Sequence, residues 1–139
     1  MMPWTQSITV TATKNASISY TYKNAVFDYI HIEYFSIRLT ANDDTGATPT
    51  GLYQVPVVVA NPANPKDPSN FTLFLPLQWN SSQPSTTPST TDTSYFLGGP
   101  VSIFLPRNRE ITVVCSLLRG PGFKSATLDG AMIGREFKP

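Results

Sequence analysis

A chain of 139 residues with a formal net charge of +1 and 14% charged residues is one domain's worth of sequence, long enough to bury a core of its own, and 1–139 is read as a single domain. So balanced a chain excludes the electrostatic footprint of a nucleic-acid binder, because its ten Lys and Arg are scattered. Thirteen prolines and eight glycines, with a surplus of Thr, Ser and Asn over Lys and Glu, work against long helices and favour strands joined by turns.

The start, residues 1–7, has no basic segment followed by an apolar one, and no apolar run reaches the length of a membrane span. The chain is therefore expected to stay in the cytosol where it is made, with no membrane partner. Residues 6–13 alternate, with Ile8, Val10 and Ala12 on one face and threonines on the other. After Lys14 and Asn15, residues 16–23 alternate again with Ile18, Tyr20 and Tyr22 inward, which predicts a hairpin.

Asn24 ends that run and a long strand follows over 25–40. In it Ile30, Ile32 and Tyr34 share one face, and then the phase changes to Phe35, Ile37 and Leu39. One extra residue at Tyr34 or Phe35, a β-bulge, would keep both sets on the core. Residues 41–49 are a loop by composition. Asn42, Asp43 and Asp44 lack the spacing of an EF-hand and no glutamate follows, so turn chemistry outweighs a metal site.

Pro56 places the strand 52–60 at an edge or at a break, and 61–70 is a stiff connection punctuated by proline. From Phe71 to Trp79 the alternation resumes, but Phe74 and Pro76 make the second face apolar too, as in a strand that is covered or meets a partner. Residues 80–94 are Ser/Thr-rich and have little to bury. They predict a long exposed loop, fit to reach a neighbour. Strands at 95–97, 101–105 and 110–118 follow, separated by Gly98, Gly99 and Pro100 and by the turn at 106–109. A last strand runs over 124–133 with a turn at Asp129 and Gly130, and Phe137 is a lone apolar anchor in the tail. About eight antiparallel strands with no βαβ period predict an all-β sandwich of two sheets, jelly roll in preference to immunoglobulin-like.

Chemistry is scarce. Cys115 is the only cysteine and lies in an apolar strand, which reads as a small buried hydrophobe. His31 and Glu33, two apart on one strand face, are the best acid/base candidates, yet such a pair is more often the polar face of a strand. The carboxylates Asp28, Glu33, Glu110 and Asp129 cannot be set opposite one another from spacing alone. Arg107, Arg109 and Glu110 read as a solvated turn. The reading is of a non-enzyme with no cofactor and no metal. The Asn-x-Ser/Thr triplets at Asn15, Asn70 and Asn80 read as accidents of composition. Sugar binding is the alternative class, with Trp4, Tyr53 and Trp79 as aromatic platforms.

In composition and strand pattern the whole chain resembles the small virion proteins of tailed bacteriophages: head decoration or cement proteins, and the β-rich heads of fibres. That resemblance rests on no motif and carries over no functional residue. It implies a non-catalytic structural protein of the virion, a homotrimer clamping neighbouring copies of a major capsid protein. The residues expected at such contacts are Phe74, Trp79, Asn80 and Tyr95, with the arm at 80–94. The runner-up is a carbohydrate- or receptor-binding module of fibre-head or lectin-like type.

Overall fold

The computed structural model describes residues 1–15, 17–43, 55–84, 91–116 and 123–138, some of them by backbone alone. They form nine strands: β1 (Met2–Asn15), β2 (Ser17–Lys23), β3 (Tyr29–Asp43), β4 (Pro56–Ala60), β5 (Phe71–Phe74), β6 (Leu77–Pro84), β7 (Thr91–Pro106), β8 (Glu110–Ser116) and β9 (Phe123–Phe137). No helix occurs among the described residues. Two antiparallel sheets face each other, one five-stranded in the order β1-β9-β3-β7-β6 and one four-stranded in the order β2-β8-β4-β5. The all-β sandwich expected from the alternation is the architecture found.

The pairing is nested. β1 pairs with β9, β2 with β8, β3 with β7 and β4 with β5, all antiparallel, so the chain runs out and back along itself with 61–70 at the fold-back. Further ladders, β3 with β9 and β4 with β8, roll this ribbon into the two sheets. The expected hairpin of the first two strands is not formed. β9 pairs β1 along nearly its whole length, far more ladder than the seven residues of β2 could supply, and β2 crosses to the other sheet. Side chains close the corner between them: Trp4 packs on Tyr22 at 5.5 Å between ring centroids, and Gln6 Nε2 donates to the Tyr20 hydroxyl at 2.8 Å.

The bulge exists, one residue earlier than predicted. Register shifts between Ile32 and Tyr34 in both ladders of β3: against β9, Glu33 is the extra residue, and against β7, Val101 and Ser102 stand opposite it. Ile30, Ile32, Phe35, Ile37 and Leu39 are therefore all buried, while Tyr34, expected inward, is 40% exposed on the outer face. Gly134 faces Ile32 across this bend, and a Cβ there would stand 1.9 Å from the His31 carbonyl oxygen, closer than any side chain allows.

The strand breaks differ from those predicted at three places. Residues 71–79, read as one strand, are two: the chain leaves the four-stranded sheet through Leu75 and Pro76 and enters the five-stranded sheet as β6. The glycines and proline at 98–100 do not separate strands but lie within the sixteen residues of β7. Asp129 and Gly130 likewise lie within β9. Strand also replaces most of the expected loop at 80–94, since β6 and β7 pair from Leu77↔Leu97 to Pro84↔Thr91 and only 85–90 fall outside the described residues. Pro56 begins β4 but marks no edge, because β4 lies between β8 and β5.

The core fills the space between the sheets. Ile8, Ile30, Ile32, Phe35, Leu39, Leu97, Ile103, Leu105 and Leu128 come from one side, and Ile18, Val57, Val59, Ile111, Val113 and Cys115 from the other. Each such side chain, fully buried, contributes about 1.5–3 kcal/mol for the larger aliphatics and aromatics.

Polar residues fix one end of the sandwich. Asn24 is fully buried; its Nδ2 donates to the carbonyls of Leu105 and Phe27, and its Oδ1 accepts from the Phe27 amide. The fold-back at 61–70 is a run of three turns in period three. Asn64, Asp67 and Asn70 amides donate to the carbonyls of Asn61, Asn64 and Asp67, each turn with proline second. In each, the leading side chain also accepts the amide two residues on, from Ala63, Lys66 and Ser69.

Candidate interaction surface

Along β3, β7 and β9, alternate residues point away from the core onto the outer face of the five-stranded sheet, and register aligns them in rows across it. Tyr29 lies beside Phe137 and Pro106, and His31 beside Arg135 and Phe104. Past the bulge, Tyr34 lies beside Ile133 and Pro100. β1 extends these rows, with Pro3 opposite Arg135 and Thr5 opposite Ile133.

The rings touch in sequence. Tyr29 stacks on Phe137 at 4.3 Å between centroids and meets Phe104 at 5.8 Å, and Phe104 stacks on His31 at 4.4 Å. Phe104 is 55% exposed and Ile133 42%, with Tyr34 beside Ile133, so this half of the face carries aromatic and aliphatic surface open to solvent around the Arg135–Glu33 pair. The other half is polar. Ser36, Ala131, Ser7 and Gly98 form a low row, and beyond it Arg38 grips Asp129 with two bonds of 3.3 and 3.0 Å. A hollow of about 270 Å³ opens there, lined by Ser36, Arg38, Phe96 and Asp129 among others.

The charges of this face are paired within the chain. Glu33 at the bulge receives Arg135 Nε at 3.0 Å, and Asp28 receives Arg107 Nη2 at 3.1 Å at the margin. His31 and Glu33 do not act on each other: the His31 Nε2 is 3.0 Å from the Ser102 hydroxyl, with its ring on Phe104, and Glu33 turns to Arg135. Asp28, Glu33 and Asp129 are thus each held by a different arginine. Arg109 departs from the solvated reading, since it reaches Asp67 in the fold-back at 3.3 Å and both side chains are largely covered. Cys115 is buried, and burial pushes its thiol up to about 12, so it is no thiolate nucleophile at neutral pH. Among the described residues, no three His, Cys, Asp or Glu side chains gather as a metal site; Asp44 lies outside them.

The contact residues expected from sequence are dispersed. Phe74 is 55% exposed, on β5 at the edge of the four-stranded sheet. Trp79 and Asn80 lie on β6, at the edge of the other sheet, opposite Phe96 and Tyr95; their side chains lie outside the described residues. Tyr95 must be withdrawn as a surface contact, because it is fully buried among the largest core side chains. Its place follows from Leu97, Ile103 and Leu105, which share its face of β7. Trp4, offered as a sugar platform, is buried at the sandwich corner, and Tyr53 lies outside the described residues.

The aromatic row is not visible in the sequence. Tyr29, Phe104, Ile133 and Phe137 come from three strands, and only the register brings them together; the one local signal was the excess of apolar residues outside the core phase of β3 and β7. The fold and this face define a β-sandwich with an aromatic outer sheet surface. No protein-family model, curated protein or solved structure matches the chain.

Proposed function

We propose that the chain is a non-catalytic structural protein of a virion, decorating or cementing the capsid surface through the outer face of its five-stranded sheet. The observation that carries this reading is the stacked row Tyr29, Phe104, His31 together with Tyr34 and Ile133 beyond the Arg135–Glu33 pair: aromatic and aliphatic side chains on a sheet face turned away from the core. Such a patch is costly to leave in water and marks a protein contact. Because the flanking charges are already matched within the chain, the face offers shape and apolar area rather than a charge pattern.

The nested pairing supports a jelly roll over an immunoglobulin-like sandwich, since a long antiparallel ribbon rolled into two sheets is how jelly rolls are built. That architecture recurs in viral capsid and lectin domains. A cement needs a second contact, to another copy, and the threefold assembly implied by the resemblance is one way to supply it. Phe74, exposed on a different edge, would serve such a contact.

Co-sedimentation of the purified protein with capsid shells of the virus that encodes it tests the reading. Saturable binding is expected, lost in a Tyr34→Ser/Phe104→Ser variant whose circular dichroism is unchanged. The second reading, a glycan-binding module, rests on the exposed Phe104 ring flanked by Ser102, His31 and the Arg135–Glu33 pair, which is the mixture of aromatic and polar groups a sugar needs. Absence of shell binding together with Phe104-dependent signal on a glycan array would replace the first reading by this one.

A further inference from the structure

Among the described strands four lie at sheet edges, and three carry features that discourage pairing. β5 has only four residues, β2 has seven and ends in Lys23, and β6 ends in Pro84. β1 differs. It spans fourteen residues, pairs only with β9 among the described strands, and bears no charged side chain before Lys14. Thr5, Ser7, Thr9 and Thr11 stand exposed along its outer face, and its neighbour across the sandwich corner, β2, meets it through side chains rather than a backbone ladder. An edge this long, without charge from Met2 to Thr13 and free of bulges, offers backbone N–H and C=O groups outside any ladder, where the Ser7 carbonyl accepts only the exposed Gln6 side-chain amide at 3.3 Å, and such an edge is ready to accept a strand.

We propose that β1 is a self-pairing edge: two copies of the chain join β1 to β1, antiparallel about a twofold axis near Ser7, into one sheet of twice the width. A second copy fits because nothing among the described residues of the edge opposes it. An axis perpendicular to the sheet keeps outward residues outward, so residues of like parity must face one another. With Ser7 on the axis, Thr5 faces Thr9 and Pro3 faces Thr11, while Trp4 faces Val10 on the inner side. No like charges meet anywhere in that register. Hydroxyl pairs of this kind already join strands within the chain, as Thr21 and Thr112 do at 3.0 Å across β2 and β8. Pro3, which has no amide hydrogen, falls near the end of the shared ladder, where its loss costs least.

This contact leaves the aromatic face free and stands independently of the virion reading; its symmetry is twofold where the resemblance implies threefold. Sedimentation equilibrium of the full chain tests it, with Ser7→Cys and Ser7→Lys variants. The wild type is expected to be a dimer. Ser7→Cys places two thiols on the axis with Cα atoms about 4.5 or 5.5 Å apart, within disulfide range, and is expected to give a covalent dimer on mild oxidation, which the wild type does not. Ser7→Lys sets two ammonium groups opposite each other and is expected to raise the dissociation constant roughly tenfold or more, with circular dichroism unchanged. A monomeric or trimeric wild type overturns the proposal, as does a dimer indifferent to both substitutions. A monomer that still binds shells fails this inference alone, whereas a β1 dimer that ignores shells fails only the proposed function.

Discussion

The carboxylate of Asp67, at the fold-back of the ribbon, accepts from Arg109 Nη2 at 3.3 Å and so ties residues 61–70 to the start of β8. Asp67 is also the hub of its own turn, taking the Asn61 side-chain amide at 3.0 Å and both the amide and hydroxyl of Ser69 at 2.9 and 2.7 Å. The Asn61 bond above all, then those from Ser69, with the Arg109 charge adding to them, lower its pKa from 3.8 to about 2. A carboxyl whose pKa is depressed by folding contributes stability that is whole above the ordinary value and lost as pH falls through the folded one. Between pH 3.8 and about 2, the thermal midpoint of the wild type should therefore fall more steeply than that of Asp67→Asn, which carries no proton-linked group at this position. Parallel melting curves across that window would reject the assignment.

Asn24 fixes the same end from inside. Its amide satisfies the Leu105 and Phe27 carbonyls and the Phe27 amide, with no water access. Asn24→Leu fills similar space but strands these groups, and should cost about 3 kcal/mol in urea-induced unfolding. A loss below about 1 kcal/mol would mean that the bonds are replaced by solvent.

Local alternation was sufficient to read most of the sandwich from sequence, because a strand with one buried face writes its period directly. β1, β2 and the two phases of β3 are visible in that way, and the bulge lies one position before its predicted place because Tyr34 is apolar enough to pass for core. The partners of each strand were not legible: β1 meets β9 across nearly the whole chain, and nothing local to either says so. Glycine is ambiguous for a physical reason, since Gly98 and Gly130 look like turn signals in sequence while their lack of Cβ serves close strand approach in the fold. The Asx-Pro period of 61–70 was present in the sequence, but its hydrogen bonds, and Arg109 reaching into it, needed the fold.

Gly130 puts this to a test. Its φ is +138°, and a Cβ would stand 2.0 Å from the Ser36 carbonyl oxygen, backbone that cannot move without breaking the β3–β9 ladder. Gly130→Ala should cost roughly 2–4 kcal/mol, against less than about 0.5 kcal/mol for Ala131→Ser one residue on. Equal effects in chemical denaturation would place the turn back at 129–130.

Cys115 should behave as a core methyl rather than a thiol. It is 1% exposed on β8, and burial raises its pKa to about 12, so the neutral form prevails throughout the neutral range. A thiol reagent such as dithiobis-nitrobenzoate should leave the native protein unlabelled at neutral pH and label one group per chain on unfolding. Rapid labelling of the folded protein would contradict the packing of β8 against the core.

Phe35 and Phe104 separate stability from recognition. Phe35 is fully buried where β3 turns past its bulge, and Phe35→Ala removes an aromatic ring from the closed core, at a cost of about 3–5 kcal/mol. Phe104 faces outward with more than half its surface open, its ring resting on His31 and against Tyr29. Phe104→Ser should change unfolding free energy by no more than about 1 kcal/mol, because it leaves no cavity. If the aromatic face is where the protein docks, the same substitution should weaken shell binding at least about tenfold, as the loss of a central aromatic contact does. Calorimetric unfolding and co-sedimentation on the two variants read these effects separately. A Phe104→Ser protein that is stable and binds as tightly as the wild type would move the docking surface off this face, to the edge that carries Phe74.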